Sequence, residues 1–127
     1  MRNNVSLATP VSRRHHPNVL ALEGDIDLHV SPAVTQSLNA MIKNKPERIV
    51  IDLSRATYID SAGVAALILA MQEVEAYGGK FFVSGLQETL RSIFETSRLD
   101  RIFRIFPDVD AALATGEAFA AKGINAV

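Results

Sequence analysis

The chain has 127 residues, of which 48% are hydrophobic, and its 13 basic and 14 acidic side chains give a formal net charge of -1. This length and composition suit one domain with a packed core. Because charges of both signs are interspersed along the chain, no strong field would draw the protein to nucleic acid or to anionic lipid. We therefore expect its partners to be proteins.

The sequence contains no cysteine, which excludes disulfides, thiolate metal sites and cysteine catalysis and fits a reducing compartment. The longest apolar run, Val64 to Met71, is far shorter than the roughly 20 residues that a membrane span needs. The first ten residues lack the apolar segment of a secretory signal. We expect a cytoplasmic protein with a single domain over 1–127, a core at about 5–114, and a tail at 115–127 that is prone to fray.

Short β-branched runs alternate with stretches of helical period, which is typical of an α/β fold. Apolar and polar residues alternate over 5–11 and predict a half-buried strand, which Pro10 confines to a sheet edge. A second strand is predicted at 19–24. The first helix is expected to have Ser31 as its N-cap and Pro32 at its first position.

The run "RIVIDL" at 48–53 is mostly apolar and β-branched, which predicts a central strand that is buried on both faces. From Ser61 onward, apolar residues at steps of three and four predict a second helix that ends at Gly78. Further elements are predicted as a strand at 80–86, a helix at 88–99, a strand at 102–106 and a short helix at 108–115. Right-handed crossovers would then give a mixed, mostly parallel sheet of about five strands with about four helices.

Asp60 and Ser61 stand together where a strand gives way to a helix. Short oxygen side chains cap helices, and one of the two would suffice for that purpose. Because Ala62 and Gly63 are small, Ser61 stays accessible at the N-terminus of the helix, where another protein could reach it. A phosphate on Ser61 would meet free backbone N–H groups and the positive end of the helix dipole, so the site is chemically suited to phosphorylation.

Catalytic alternatives fit the sequence poorly. A hydrolase elbow of the form G-x-S-x-G would need a glycine where Ile59 stands, and no pattern marks any of the three histidines as a base. A phosphate-binding loop at "GGK" would need glycine and a hydroxyl where Val74 and Phe81 stand. The adjacent pair His15 and His16 has no metal-ligand spacing. We expect no enzymatic activity.

Asp25 and Asp27 follow the second predicted strand, where ordinary turn residues are common. Because both this loop and Ser61 follow strand ends, we expect them at the same sheet edge. With Asp52 and Lys80 the two acids loosely resemble the Mg²⁺ site of phosphoaspartate receivers, but Asp52 lies inside its strand and Lys80 begins one. We therefore expect no metal site.

Four stretches, "EGDIDLHVSP", "RIVIDLSRATYIDSAGVAAL", "GGKFFVSGL" and "LRSIFETSRLDRIF", together resemble the STAS domain of anti-sigma factor antagonists. The similarity extends from about Val5 to Ala114, and its most specific element is the aspartate-serine-small-glycine run at 60–63. The resemblance implies that Ser61 is phosphorylated by an anti-sigma factor with serine kinase activity. Asp27 matches the acid of the family's G-[ED]-[LI]-D loop.

The resemblance also implies a partner-binding surface and a switching cycle. Asp27 and Asp60, which match acidic residues of the family, and the neighbouring Asp25, Ala62 and Gly63 are expected at the contact. In such proteins the unphosphorylated form binds the kinase and releases its sigma factor. The phosphorylated form cannot bind until a serine phosphatase removes the phosphate. ATP and Mg²⁺ belong to the kinase, so no cofactor is expected on this chain.

STAS domains also occur in lipid-transporting ABC complexes and in stress-signalling scaffolds. In such a role binding would be constitutive and Ser61 would be only a cap. The sequence leaves this alternative open.

Overall fold

The structure is a computed structural model that describes residues 11–12 and 16–122. The strands are β1 (Val11–Ser12), β2 (Val19–Ile26), β3 (Arg48–Ile59), β4 (Lys80–Ser84) and β5 (Arg104–Phe106). The helices are α1 (Ser31–Ile42), α2 (Ser61–Ala76), α3 (Glu88–Thr96) and α4 (Val109–Lys122), with a 3₁₀ turn at Leu99–Arg101.

The five strands form one sheet in the order β1-β2-β3-β4-β5. Strands β2 to β5 are parallel, and β1 pairs antiparallel with β2. The predicted α/β class, with a mixed and mostly parallel sheet and four helices, is confirmed. The antiparallel edge strand was expected over 5–11, but among the described residues β1 has only two, and positions 5–10 lie outside the described part of the chain.

Two apolar layers cover the sheet because alternate strand residues face opposite sides. The larger layer packs α1, α2 and α3 against one face, with Leu20, Ile51 and Val83 among its strand residues. The smaller layer lies under α4 and comprises Val19, Val50, Phe82 and Ala112. Strand β3 contributes to both layers, as expected of a central strand that is buried on both faces.

The paired strands β2 and β3 extend further than the sequence predicts. β2 continues to Ile26, and β3 continues through a polar stretch to Ile59, because the parallel pairing persists as far as the partners Ile26 and Ile59. Asp25 therefore lies in a strand rather than in the expected loop. At the other end of the chain, α4 continues to Lys122, beyond the predicted end at 115.

Tyr77 closes the turn between α2 and β4. Its hydroxyl donates to the carbonyl oxygen of Pro46 at 2.7 Å. Burial raises the pKa of the Tyr77 phenol above its ordinary value of 10.0, because the ionised form is poorly solvated there. The hydrogen bond to Pro46 requires the protonated phenol.

Tyr77→Phe should lower the free energy of unfolding by about 1 kcal/mol near neutral pH, since the Pro46 carbonyl loses its donor. The unfolded chain releases the phenol proton near pH 10.0 and the folded chain only at higher pH. Tyr77 therefore contributes its full stabilisation below pH 10.0, and progressively less as the pH rises from there through the higher pKa of the folded chain. Urea unfolding of both proteins should show a difference that shrinks above pH 10; a constant difference would contradict the assignment.

Candidate functional site

Asp60 is the N-cap of α2. Its backbone is extended, and its Oδ1 accepts hydrogen bonds from the backbone N–H groups of Ala62 at 2.9 Å and Gly63 at 3.1 Å. Its carbonyl oxygen accepts from the Val64 N–H at 2.9 Å. Of the two adjacent oxygen side chains, it is therefore Asp60 that satisfies the free donors of the first turn.

Ser61 is the first residue of α2 and is exposed. Because Asp60 already caps the helix, the Ser61 hydroxyl is not required for that purpose. Within the described part of the chain, the hydroxyl has no protein hydrogen-bond partner. Ser61 therefore presents a free hydroxyl at a fixed position on the surface.

Gly63 allows α2 to start in close contact with the end of β2. A Cβ atom at this position would lie 2.5 Å from the carbonyl oxygen of Ile26 and 2.8 Å from Cγ1 of Ile59. The same Ile26 oxygen accepts the N–H of Asp60 at 3.1 Å. Gly63 is buried, so the structure gives it a packing role, and its expected contact with a partner stays a prediction.

Asp27 organises the start of α1. Its Oδ1 accepts from the N–H groups of His29 at 3.0 Å and Val30 at 3.3 Å, and its carbonyl oxygen accepts from the N–H of Ser31 at 2.8 Å. The predicted N-cap role of Ser31 is wrong. Val30 occupies the N-cap, and Ser31 is the first helical residue, with its hydroxyl donating to the carbonyl of Leu28. The earlier aspartate supplies the turn that a capping serine would otherwise provide.

The sheet register brings the predicted acidic residues to one edge. Ile26 and Ile59 are register partners, so Asp27 and Asp60 each follow directly at the ends of neighbouring parallel strands. Asp25, one position before Ile26, is exposed and accepts a hydrogen bond from the Thr57 hydroxyl at 2.8 Å. Ser61 therefore shares its edge with three carboxylates. Asp52, by contrast, accepts from the N–H of Ser54 within β3.

An apolar groove of about 760 Å³ adjoins Ser61. We call it the Ser61 groove, and it is lined by Tyr58, Ile59, Asp60, Ser61, Val64, Ala65, Ile68, Ile93, Ser97 and Leu99. One wall comes from the end of β3 and from α2, and the other comes from α3 and the 3₁₀ turn. Asp60 is the one charged residue among those that line it.

The Ser61 groove was not predicted from the sequence. Tyr58 is 46% exposed, whereas the next residue, Ile59, is buried. Because successive strand residues face opposite sides, this alternation is the sequence feature that could have indicated an outward-facing aromatic. Ile93 packs against the core, is partly buried and also lines the groove. Which helix forms the second wall depends on tertiary packing, which local patterns do not contain.

No helix among the described residues is long and apolar enough to cross a membrane. In residues 11–12 and 16–122, no group of three or more His, Cys, Asp or Glu residues could hold a metal ion.

The chain belongs to the STAS domain family, whose model matches residues 9–112. It is 27% identical over 108 residues to the anti-sigma-F factor antagonist RsfB of Mycobacterium tuberculosis, covering 85% of this chain and 88% of that protein. Several further curated relatives carry the name anti-sigma factor antagonist.

Solved structures show the same fold. The anti-sigma factor antagonist SpoIIAA in its unphosphorylated form superimposes with a TM-score of 0.71 at 20% identity, covering 85% of this chain and 96% of that one. Bacillus SpoIIAA has also been solved in a phosphorylated form, with a TM-score of 0.63 at 21% identity over 83% of this chain and 97% of that one. A sulfate transporter family protein from Wolinella succinogenes gives a TM-score of 0.70 at 20% identity, covering 82% and 87%. At these identities the likeness concerns the fold alone.

Gly63→Ala should destabilise the protein by about 1 to 3 kcal/mol, because the added methyl group meets backbone and a buried side chain rather than open space. Chemical denaturation measures the change. Ala62→Gly removes a methyl group at the neighbouring, half-buried position and should cost no more than about 1 kcal/mol. Equal losses of stability in the two variants would show that the close approach of position 63 to Ile26 does not cause the destabilisation.

Proposed function

We propose that this protein is an anti-sigma factor antagonist that acts by partner switching. The unphosphorylated form binds an anti-sigma factor with serine kinase activity and releases its sigma factor, and phosphorylation of Ser61 blocks that binding. The supporting observation is the free, exposed Ser61 hydroxyl at the rim of an apolar groove. The names of the curated relatives support the general role.

The site suits a switch that works through charge. A partner whose contact includes Ser61 and the adjoining groove would remove both from water. A phosphate there would have to be desolvated beside the carboxylate of Asp60, a like charge. A buried mismatched charge costs roughly 2 to 5 kcal/mol or more, and a nearly complete switch takes about 5.5 kcal/mol. Phosphorylation of Ser61 is therefore of the right magnitude to release a partner.

The proposal assigns the chemistry to the partners. The kinase carries ATP and Mg²⁺, and a serine phosphatase removes the phosphate. This chain then acts in the cytoplasm as a binding protein without turnover of its own. The constitutive alternative, a subunit of a lipid-transporting ABC complex or a stress-signalling scaffold, predicts no phosphorylation of Ser61.

Ser61→Ala should abolish phosphorylation and preserve binding to the anti-sigma partner, and it should leave stability nearly unchanged because Asp60 is the cap. Ser61→Asp should weaken binding, but only partly, because an aspartate carries one charge rather than nearly two. Intact mass after incubation with the candidate kinase and ATP, followed by affinity measurement, reads out both effects.

Ser97 and Ser92 provide matched controls for this experiment. Ser97→Ala alters the opposite wall of the groove and should leave phosphorylation intact. Ser92→Asp adds the same charge at an exposed position of α3 that does not line the groove, and should bind normally. A phosphate that still appears on Ser61→Ala, or a Ser61→Asp variant that binds like wild type, would refute the proposed switch.

Asp27→Asn tests whether the acidic edge contributes to recognition. Asparagine keeps the oxygen that accepts from the His29 and Val30 N–H groups, so the turn before α1 should persist while the charge is lost. If Asp27 positions the kinase, the rate of phosphorylation or the affinity should fall about tenfold, with the melting temperature unchanged. Wild-type kinetics and affinity would leave Asp27 as a turn residue only.

A further inference from the structure

We infer that Asp60 keeps a phosphate on Ser61 away from the backbone N–H groups that begin α2, so that the phosphate stays unneutralised at the rim of the Ser61 groove. The inference rests on the proposed function only in taking Ser61 as the phosphoacceptor. It makes Asp60 a positioning residue for the modified side chain, in addition to its role as a cap.

The donors at the helix start are already occupied. A phosphate at the first helical position would ordinarily find the N–H groups of the first turn unpaired. Here the N–H groups of Ala62 and Gly63 donate to Asp60 Oδ1, and that of Val64 donates to the Asp60 carbonyl. Among the first four residues of α2, only Ser61 has an N–H group without such a bond to Asp60.

Asp60 is held firmly in this position. Its own N–H donates to the Ile26 carbonyl at 3.1 Å, and the buried Ile59 precedes it. Displacing its carboxylate would break two hydrogen bonds of the cap. Keeping it in place leaves a negative charge one residue from the phosphate, and the two anions repel each other. The helix start therefore accommodates one of the two anions, and Asp60 is the one already bound.

The surroundings offer little compensation. Tyr58 and Asp60 are the titratable residues that line the groove, and no lysine or arginine is among the lining residues. Asp25 lies in β2, and Asp27 and His29 follow it in the loop before α1. On the α3 side, Arg98 stands between the lining residues Ser97 and Leu99 and is exposed without itself lining the groove. The phosphate thus keeps its charge available to a partner and its oxygens accessible to a phosphatase.

The test installs phosphoserine at position 61 during translation, without any kinase, in wild type, Asp60→Asn and Asp60→Ala. In wild type, phosphorylation should leave the melting temperature unchanged or lower it. In Asp60→Ala the freed N–H groups become available to the phosphate, so phosphorylation should raise the melting temperature by ~3 to 6 °C. Phosphorylation is thus expected to stabilise Asp60→Ala and not wild type.

Asp60→Asn separates charge from capping, because asparagine caps as well as aspartate does. Phosphorus NMR should show a lower second pKa for the phosphate in this variant than in wild type, by ~0.5 to 1 unit, since a neighbouring negative charge has been removed. This readout does not depend on Asp60→Ala being stable enough to fold. Phosphoserine at the exposed Ser92 serves as the control and should titrate identically in both backgrounds.

A phosphate that stabilises wild type as much as Asp60→Ala would overturn the inference, and so would equal phosphate pKa values in wild type and Asp60→Asn. Stabilisation of wild type by phosphate would point instead to pairing with Arg98. Failure of the proposed function is distinguishable, because a kinase that leaves Ser61 unmodified would refute the switch without altering the behaviour of the installed phosphoserine.

Discussion

The carbonyl oxygen of Ile26 is the point on which the candidate site depends. It accepts the N–H of Asp60, and the absence of a side chain at Gly63 lets the first turn of α2 lie directly against it. This contact joins the end of β2 to the start of α2, the helix that follows the neighbouring strand β3. Because main-chain atoms make the contact, the position of Ser61 is set by the backbone rather than by adjustable side chains.

The sequence predicted the fold well because most elements carry a local signal. The apolar run before Asp52, the helical period after Ser61 and the alternation of strands and helices each identify an element without tertiary information. The polar end of β3 was missed, because the residues that follow Leu53 are held in a strand by pairing with β2 and not by their own burial pattern. The predicted N-cap role of Ser31 was wrong for a similar reason. The Asp27 carboxylate accepts from the N–H groups that precede α1, and the residues around Ser31 do not by themselves reveal this turn.

The candidate site was only partly predictable. The run from Asp60 to Gly63 identified the helix start, and the register of β2 against β3 explains why the acidic loop lies beside it. Whether Asp60 or Ser61 capped the helix could not be decided from local sequence, and the hydrogen bonds of Asp60 decide it. The Ser61 groove was not predictable, because its second wall comes from α3, more than thirty residues further along the chain.

Placing the cap and the free hydroxyl on adjacent residues has a consequence for regulation. If one serine did both, modifying it would remove the cap and couple the switch to unfolding, at a cost of about 1 kcal/mol. With Asp60 as the cap, the hydroxyl of Ser61 can change its chemistry while the helix start stays bonded as before. A phosphate on Ser61 then changes the free energy of partner binding rather than that of folding. Its added charge is most unfavourable at this surface because the partner would cover an apolar groove and a fixed carboxylate.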